Sequence, residues 1–305
     1  VSDSTASLRR QIDSATDLQS VVRTMKAIAA SSIGQYEKSV RALADYERTV
    51  GLGLGACLRK IGPTALRRPR QGPTSIRVVG AVVFGSDQGL VGRFNQAVVE
   101  HAVTTLAKLP GATRVWAVGE RVYARLVDAG LPPVGRFAVP TSVNTITPLV
   151  GRILVDSQRR VRHDADSEFF LFYNSHASGP TYASVSQRLL PLDEAWRRTQ
   201  VELAWPTKNL PEVMGESRST LAALIGGHLF VSIFRACAES LASENASRLA
   251  AMERAETNIE DLLDTLRGSF HRLRQNGIDE ELFDVISGFE ALSRPQQRPK
   301  GPADV

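Results

Sequence analysis

No proline occurs before Pro63, and none lies between Pro211 and Pro295. Proline is the residue that most reliably breaks a helix, because it lacks the amide hydrogen and its ring clashes with the preceding turn. A long stretch at each end of the chain is therefore free to run as a single helix. In the first stretch Leu8, Ile12, Ala15, Val22 and Met25 follow steps of four and three, with Gln19 as the polar exception, and Leu43, Tyr46 and Val50 resume the pattern. In the second, Ile259, Leu262, Leu266, Phe270 and Leu273 do the same, followed after Gly277 by Ile278, Leu282, Val285, Phe289 and Leu292. This is heptad spacing, so each flank presents one apolar stripe, and the two stripes are expected to zip into a long antiparallel coiled coil.

A helix of about 75 residues reaches about 110 Å, well beyond the width of an ordinary domain, so most of such a helix must find its partner outside a globular core. The alternative is a bundle of shorter helices broken at Gly226, Gly227, Gly268 and Gly277, although an isolated glycine weakens a helix by only about 1 kcal/mol.

Between the flanks the pattern changes. After a Gly-, Pro- and Arg-rich stretch from Gly62 to Ser75, the run Val78 to Phe84 is β-branched and apolar, as in a strand buried on both faces. Helix-like Phe94 to Leu106, strand-like Arg114 to Val118 and helix-like Glu120 to Ala129 follow. This β-α-β-α order implies a mostly parallel sheet. A helix from about Ser142 to Arg162 comes next, then strands Glu168 to Tyr173 and Ser184 to Leu190 flank the loop Ser178-Gly179-Pro180 as a hairpin at the sheet edge. The expected fold class is α/β, a Rossmann-like domain joined to the coiled coil. The expected divisions are a coil helix over 1–60, a basic linker over 61–75, the α/β domain over 76–210, the second coil helix over 211–293 and a basic tail over 294–305.

Chemistry is sparse. The loop from Gly85 to Asn95 lies between a strand and its helix, where nucleotide enzymes place amides around phosphate. It lacks the Gly-Lys-Ser/Thr ending of a P-loop, and Gly85, Gly89 and Gly92 do not give a dinucleotide fingerprint. It reads as a tight structural turn. Five scattered histidines form no recognised catalytic or metal motif. The pair Asp261 and Asp264, like Glu253 and Glu256, reads as a solvated helix face rather than an acid/base pair. Cys57 and Cys237 have no His or Cys at ligand spacing, which points away from zinc and from a disulfide framework and favours a reducing compartment. No metal, organic cofactor or small-molecule substrate is expected. No run of about 18 to 20 apolar residues stands out, so no membrane crossing is expected. The net charge of +5, with arginines clustered in Arg59 to Arg77, Arg152 to Arg162 and Arg294 to Lys300, permits an acidic protein, nucleic acid or an anionic membrane face as partner.

Three segments carry a resemblance. They are Leu8-Arg-Arg-Gln-Ile12 running to Thr24-Met25-Lys26-Ala27-Ile28-Ala29-Ala30-Ser31; Ser86-Asp87-Gln88-Gly89-Leu90-Val91-Gly92-Arg93-Phe94-Asn95; and Glu239-Ser240-Leu241-Ala242-Ser243-Glu244-Asn245-Ala246-Ser247-Arg248, continuing through Met252 and Asn258 to Arg274-Gln275 and Gly288. In order and separation they resemble the gamma subunit of F-type ATP synthases over nearly the whole chain except the tail.

The resemblance implies a non-catalytic rotor, the central stalk, whose coil turns inside the hexamer of alpha and beta subunits. It places the α/β domain near the epsilon subunit and the membrane rotor (c) ring, on the cytoplasmic face of a bacterial inner membrane. By the same resemblance Arg274 and Gln275 form a catch for a beta subunit, and Met25 and Lys26 face the lower part of the hexamer. Leu282, Val285, Ile286, Phe289 and Leu292 then form an apolar bearing tip, while Asp87, Gly89, Gly92 and Asn95 shape the structural loop. Ala242, Ser243, Ala246, Ala250 and Ala251 would let the coil backbones approach closely. Ser32-Ile33-Gly34-Gln35, Val91, Arg93, Asp279 and the extension from Ser293 to Val305 depart from the family pattern, as an alternative F-type ATPase would. The competing readings are a non-rotary coiled-coil scaffold or a nucleic-acid-binding protein, and a small α/β enzyme using the Gly85 to Asn95 loop.

Overall fold

The computed structural model describes residues 4–62, 78–161, 167–176, 182–209 and 211–293. Most of the expected linker, the loop at Ser178-Gly179-Pro180 and the basic tail lie outside the described residues. The chain forms two compact units, Met25–Met252, and Val1–Thr24 with Glu253–Val305. Both terminal helices, α1 (Thr5–Ile61) and α6 (Ser217–Ser293), contribute to each.

In the larger unit a five-stranded sheet has the order β3-β2-β1-β4-β5. Its strands are β1 (Val78–Phe84), β2 (Ala112–Val118), β3 (Gly135–Phe137), β4 (Glu168–His176) and β5 (Tyr182–Leu190). β1 pairs in parallel with β2 and β4, β2 in parallel with β3, and β4 antiparallel with β5. Helices α2 (Phe94–Leu106) and α3 (Glu120–Asp128) cover one face, where Val79, Ala81 and Val83 meet Val98, Ala102, Val122 and Leu126. On the other face Val82, Phe84 and Trp116 pack with α4 (Ile146–Val161) and with Ile233, Phe234, Cys237 and Leu241 of α6. β1 is buried along its whole length, as its unbroken apolar run requires.

Two elements are absent from the sequence reading. β3 is only three residues long and leaves almost no periodicity. α5 (Glu194–Glu202) is announced by its cap instead, since Asp193 accepts a hydrogen bond from the Trp196 amide at 2.9 Å. The expected helix from Ser142 begins as a short 3-10 turn, Val143–Thr145, before α4.

α6 runs unbroken for 77 residues through Gly226, Gly227, Gly268 and Gly277, so the bundle of short helices is not what forms. It also corrects the expectation that no stretch is apolar enough to cross a membrane, because an 18-residue window of α6 reaches a mean hydropathy of 1.7. Packing against the sheet accounts for much of that apolarity: Val231, Ile233, Phe234, Ala236 and Cys237 are buried.

The apolar stripes need a second correction. Along α1 the buried and half-buried residues include a series, Leu8, Ile12, Ala15, Gln19, Val22, Lys26, Ala29, Ile33, Tyr36, Val40, Leu43, Glu47, Val50, Leu54 and Cys57, that alternates four and three without a break. Lys26 continues the stripe after Val22, and Glu47 takes the place expected for Tyr46, which is exposed. In α6 Leu263 is buried and Leu262 exposed. Long polar side chains lay their aliphatic stems in a seam while their heads reach out, so a reading by hydrophobicity alone skips them.

Candidate partner-binding surfaces

In the smaller unit α1 and α6 lie antiparallel. Gln19 Nε2 donates to Glu260 Oε1 at 3.3 Å, and Arg23 Nε donates to Glu256 Oε1 at 2.8 Å while its Nη2 reaches Glu260 Oε1 at 3.3 Å. An advance of four residues in α1 thus matches a retreat of four in α6. That register sets Thr5, the first residue of α1, level with Arg274. The Arg23 guanidinium is pushed above its ordinary range chiefly by its hydrogen bond to Glu256.

Beyond the level of Arg274 no other described element runs beside α6. Arg274 and Gln275 are exposed, and among the described residues Arg274 forms no ion pair. Leu282, Val285, Ile286 and Phe289 expose 47–72% of their surface. The side chain of Leu292 lies outside the described residues. Glu280, Glu281, Asp284 and Ser287 occupy the opposite face, so this stretch is an amphipathic helix whose apolar stripe is left exposed, which marks that stripe as a surface made for contact.

Met25 and Lys26 belong to the larger unit, and both are half-buried, with Lys26 at a seam position. Of the residues expected to pack closely, Ala242, Ser243 and Ala246 are buried while Ala250 and Ala251 are half-buried, and Ala29 of α1 is fully buried.

The glycine-rich loop is occupied by its own side chains. Asn95 Oδ1 accepts from the Ser86 amide at 2.9 Å while its Nδ2 donates to Ser86 Oγ at 2.8 Å. Asp87 accepts from the amides of Glu120 and Val139, both at 2.9 Å, tying the loop to the start of α3 and to the segment after β3. Gly92 has φ +57° and Leu90 φ +62°, which turn the chain sharply into α2. A phosphate would meet an exposed Asp87 carboxylate here rather than free amides. Gly89 is half-buried and its added Cβ would approach only Arg121, at 3.9 Å.

Sequence reasoning did not single out the buried ion pair of α6. Arg248 Nη2 donates to Glu244 Oε1 at 2.6 Å, and burial pushes the Glu244 carboxyl above its ordinary range against the pull of Arg248. The i, i+4 spacing was the available signal. Nearby, burial raises the Cys237 thiol, and it raises the Tyr173 hydroxyl to about 12. Ser175 Oγ donates to Glu239 Oε2 at 2.7 Å, and Arg235 binds both Glu239, at 2.7 Å, and Glu47 of α1, at 3.3 Å. These bonds tie β4, α6 and α1 together.

Set against known proteins, the family model described as ATP synthase matches residues 4–292. The chain belongs to this family. Its curated relatives include the ATP synthase gamma chain of Granulibacter bethesdensis, 29% identical over 306 residues and covering 93% of this chain and 98% of the relative. The gamma chain of Geotalea uraniireducens is 26% identical over 295 residues, covering 94% and 98%. Among solved structures, a chain of the Euglena gracilis mitochondrial ATP synthase in an OSCP/F1/c-ring assembly is similar in fold, with a TM-score of 0.64 at 15% identity over 97% of this chain and 98% of the other. A chain of the Tetrahymena thermophila central stalk and c-ring gives 0.56 at 20% identity, over 77% and 99%.

Proposed function

We propose that this gamma chain is the central-stalk rotor of an F-type ATP synthase, transmitting torque between a membrane rotor ring and the alpha/beta hexamer. It is a non-catalytic subunit of a membrane-associated complex. The observation that carries the reading is α6 itself, which continues past the first residue of α1 with the apolar stripe of Leu282, Val285, Ile286 and Phe289 exposed, at the end of a zipped antiparallel pair.

The energetics favour such a pair. One charge crossing 100 mV releases about 2.3 kcal/mol, and several are combined for one ATP, so a shaft passes on the order of 10 kcal/mol per step. Exposed i, i+4 pairs at roughly 0.2 to 0.5 kcal/mol each do not stiffen a lone helix against that load. A continuous heptad seam does.

In this reading Arg274 and Gln275, at the level where α1 begins, form the catch against an acidic loop of a beta subunit. Leu282, Val285, Ile286, Phe289 and Leu292 turn in an apolar sleeve of the hexamer. Met25 and Lys26 face the lower hexamer, and Asp87, Gly89, Gly92 and Asn95 hold the α/β domain in shape. The epsilon subunit and the c ring bind the α/β domain, on the cytoplasmic face of a bacterial inner membrane.

Affinity purification of the tagged chain from its own membranes tests this. An ATP-hydrolysing alpha/beta hexamer should come with it. Salt-sensitive retention on DNA with no ATPase subunits would favour the scaffold reading instead.

A further inference from the structure

α1 contains a weak point. Gly51, Gly53 and Gly55 fall within five residues of its C-terminal part, and each glycine in a helix interior sacrifices helix propensity relative to alanine. The packing explains why they stand there. A Cβ on Gly55 would lie 2.4 Å from the carbonyl oxygen of Gln200, and one on Gly51 would lie 3.1 Å from Leu203 Cδ1 and 3.2 Å from Gln200 Oε1. Gly53 faces the other way, with Leu224 of α6 at 3.1 Å. Gly51 and Gly55, one turn apart, thus form a bare strip on which the end of α5 lies in backbone contact.

The strip is buttoned at its lower end. Arg59 Nη1 donates to the Val201 carbonyl of α5 at 2.7 Å, and Lys60 Nζ donates to the Val213 carbonyl, in the segment between α5 and α6, at 3.0 Å. At the other end of α5, Trp196 packs at 5.2 Å against His228 of α6. Trp196 and Val201 join Val50, Leu54, Leu58 and Leu221 in a separate apolar cluster. α5 also follows β5 closely, where Arg188 pairs with Asp193. One short helix therefore touches α1, touches α6 and is tethered to the sheet.

α6 has its own broad attachment to the sheet through Ile233, Phe234, Cys237 and Leu241. The last turns of α1 do not share that core. We propose that α5 is a clasp that splints the glycine-softened root of α1 and locks it to α6 and the sheet, so that both helices turn as one. Arg59, Lys60 and the glycine strip are its positioning residues. The clasp is required for coupling rather than for hydrolysis, and it rests on the central-stalk reading above.

The test uses the assembled complex in membrane vesicles, measuring ATP hydrolysis and the membrane potential formed per ATP hydrolysed. The double variant Arg59→Met, Lys60→Met removes both buttons at exposed positions and should leave the amount of assembled complex and its hydrolysis unchanged. The potential per ATP should fall clearly below that of the unaltered complex, because both hydrogen bonds are lost together. Arg59→Lys, which keeps a donor, should recover part of it. Gly55→Ala should reduce coupling in the same way, whereas Gly226→Ala, at a helix position with nothing within 4 Å, should not. Undiminished coupling in the double variant overturns the clasp. Failure of the stalk reading looks different, because the unaltered chain would then bring no coupled ATPase at all.

Discussion

Arg248 and Glu244 meet across one turn of α6 at 2.6 Å, with side chains only 12% and 8% exposed. A pair sealed this well is held by mutual charge and geometry, since each partner alone would leave an unpaired buried ion. Replacing Arg248 with alanine should therefore destabilise the larger unit by about 3 to 5 kcal/mol, whereas Arg248→Met combined with Glu244→Leu should cost far less. Denaturant titration of the three proteins, compared by midpoint, decides this. Equal losses for the single and double variants would show that the pair contributes nothing as a pair.

His228 makes stability depend on pH. Burial holds its imidazole below the usual 6.5, with Glu47 opposing. A base whose folded pKa is lowered resists a proton that the unfolded chain accepts, so its stability contribution is complete above pH 6.5 and is lost as pH falls toward the folded value. Glu244 works in the opposite sense: with its pKa raised by burial, it weighs against the fold progressively as the unfolded carboxyl ionises above 4.5, and in full only above its raised folded value. The His228 contribution to the melting temperature should decline from neutral pH to about pH 5, so His228→Gln should lose less stability toward acid over this range than the unaltered chain. Thermal melts across this range measure it, and an unchanged slope in the variant would exclude His228 as the cause.

The catch and the tip make separable demands. In an assembled complex Arg274→Ala should lower ATP turnover far more than it lowers assembly, because Arg274 is exposed and has no ion pair among the described residues. Gel filtration against hydrolysis rate separates the two effects. Unchanged turnover would remove Arg274 from the catch. Truncation after Ser293 should leave rotation intact, and a large loss would assign the tail a regulatory part.

Proline at Ala250 should prevent assembly. It removes a helix hydrogen bond and clashes with the preceding turn, costing about 3 kcal/mol or more inside the seam. Recovery of a normal complex would contradict a continuous α6.

Much of this was legible in the residues because local signals agreed. β1 from Val78 to Phe84 and α2 from Phe94 to Leu106 have the bounds that their apolar runs and the intervening turn predict. β3 left no signal because three residues cannot show a period, and α5, which has no fully buried residue, carries its signal in the Asp193 cap instead of an apolar stripe. The seam was misread by one position at Leu262, where the neighbouring Leu263 is the buried residue, and for a different reason at Lys26 and Glu47. Hydrophobicity marks residues that avoid water, whereas a coil also accepts polar side chains whose heads are satisfied across it, as Glu47 is by Arg235 at 3.3 Å. The site residues rested on resemblance, and the structure adds their setting: Arg274 at the end of the helix pair, and the tip exposed.

The central claim is that the terminal helices carry rotation between the α/β domain and the hexamer. It is tested most directly by fixing the alpha/beta hexamer to a surface, labelling the α/β domain through a cysteine introduced at exposed Glu100, and adding ATP. The account predicts continuous rotation of the label in one direction, stopping when ATP is removed. ATP hydrolysis by a complex that contains this chain while the label stays still would contradict it.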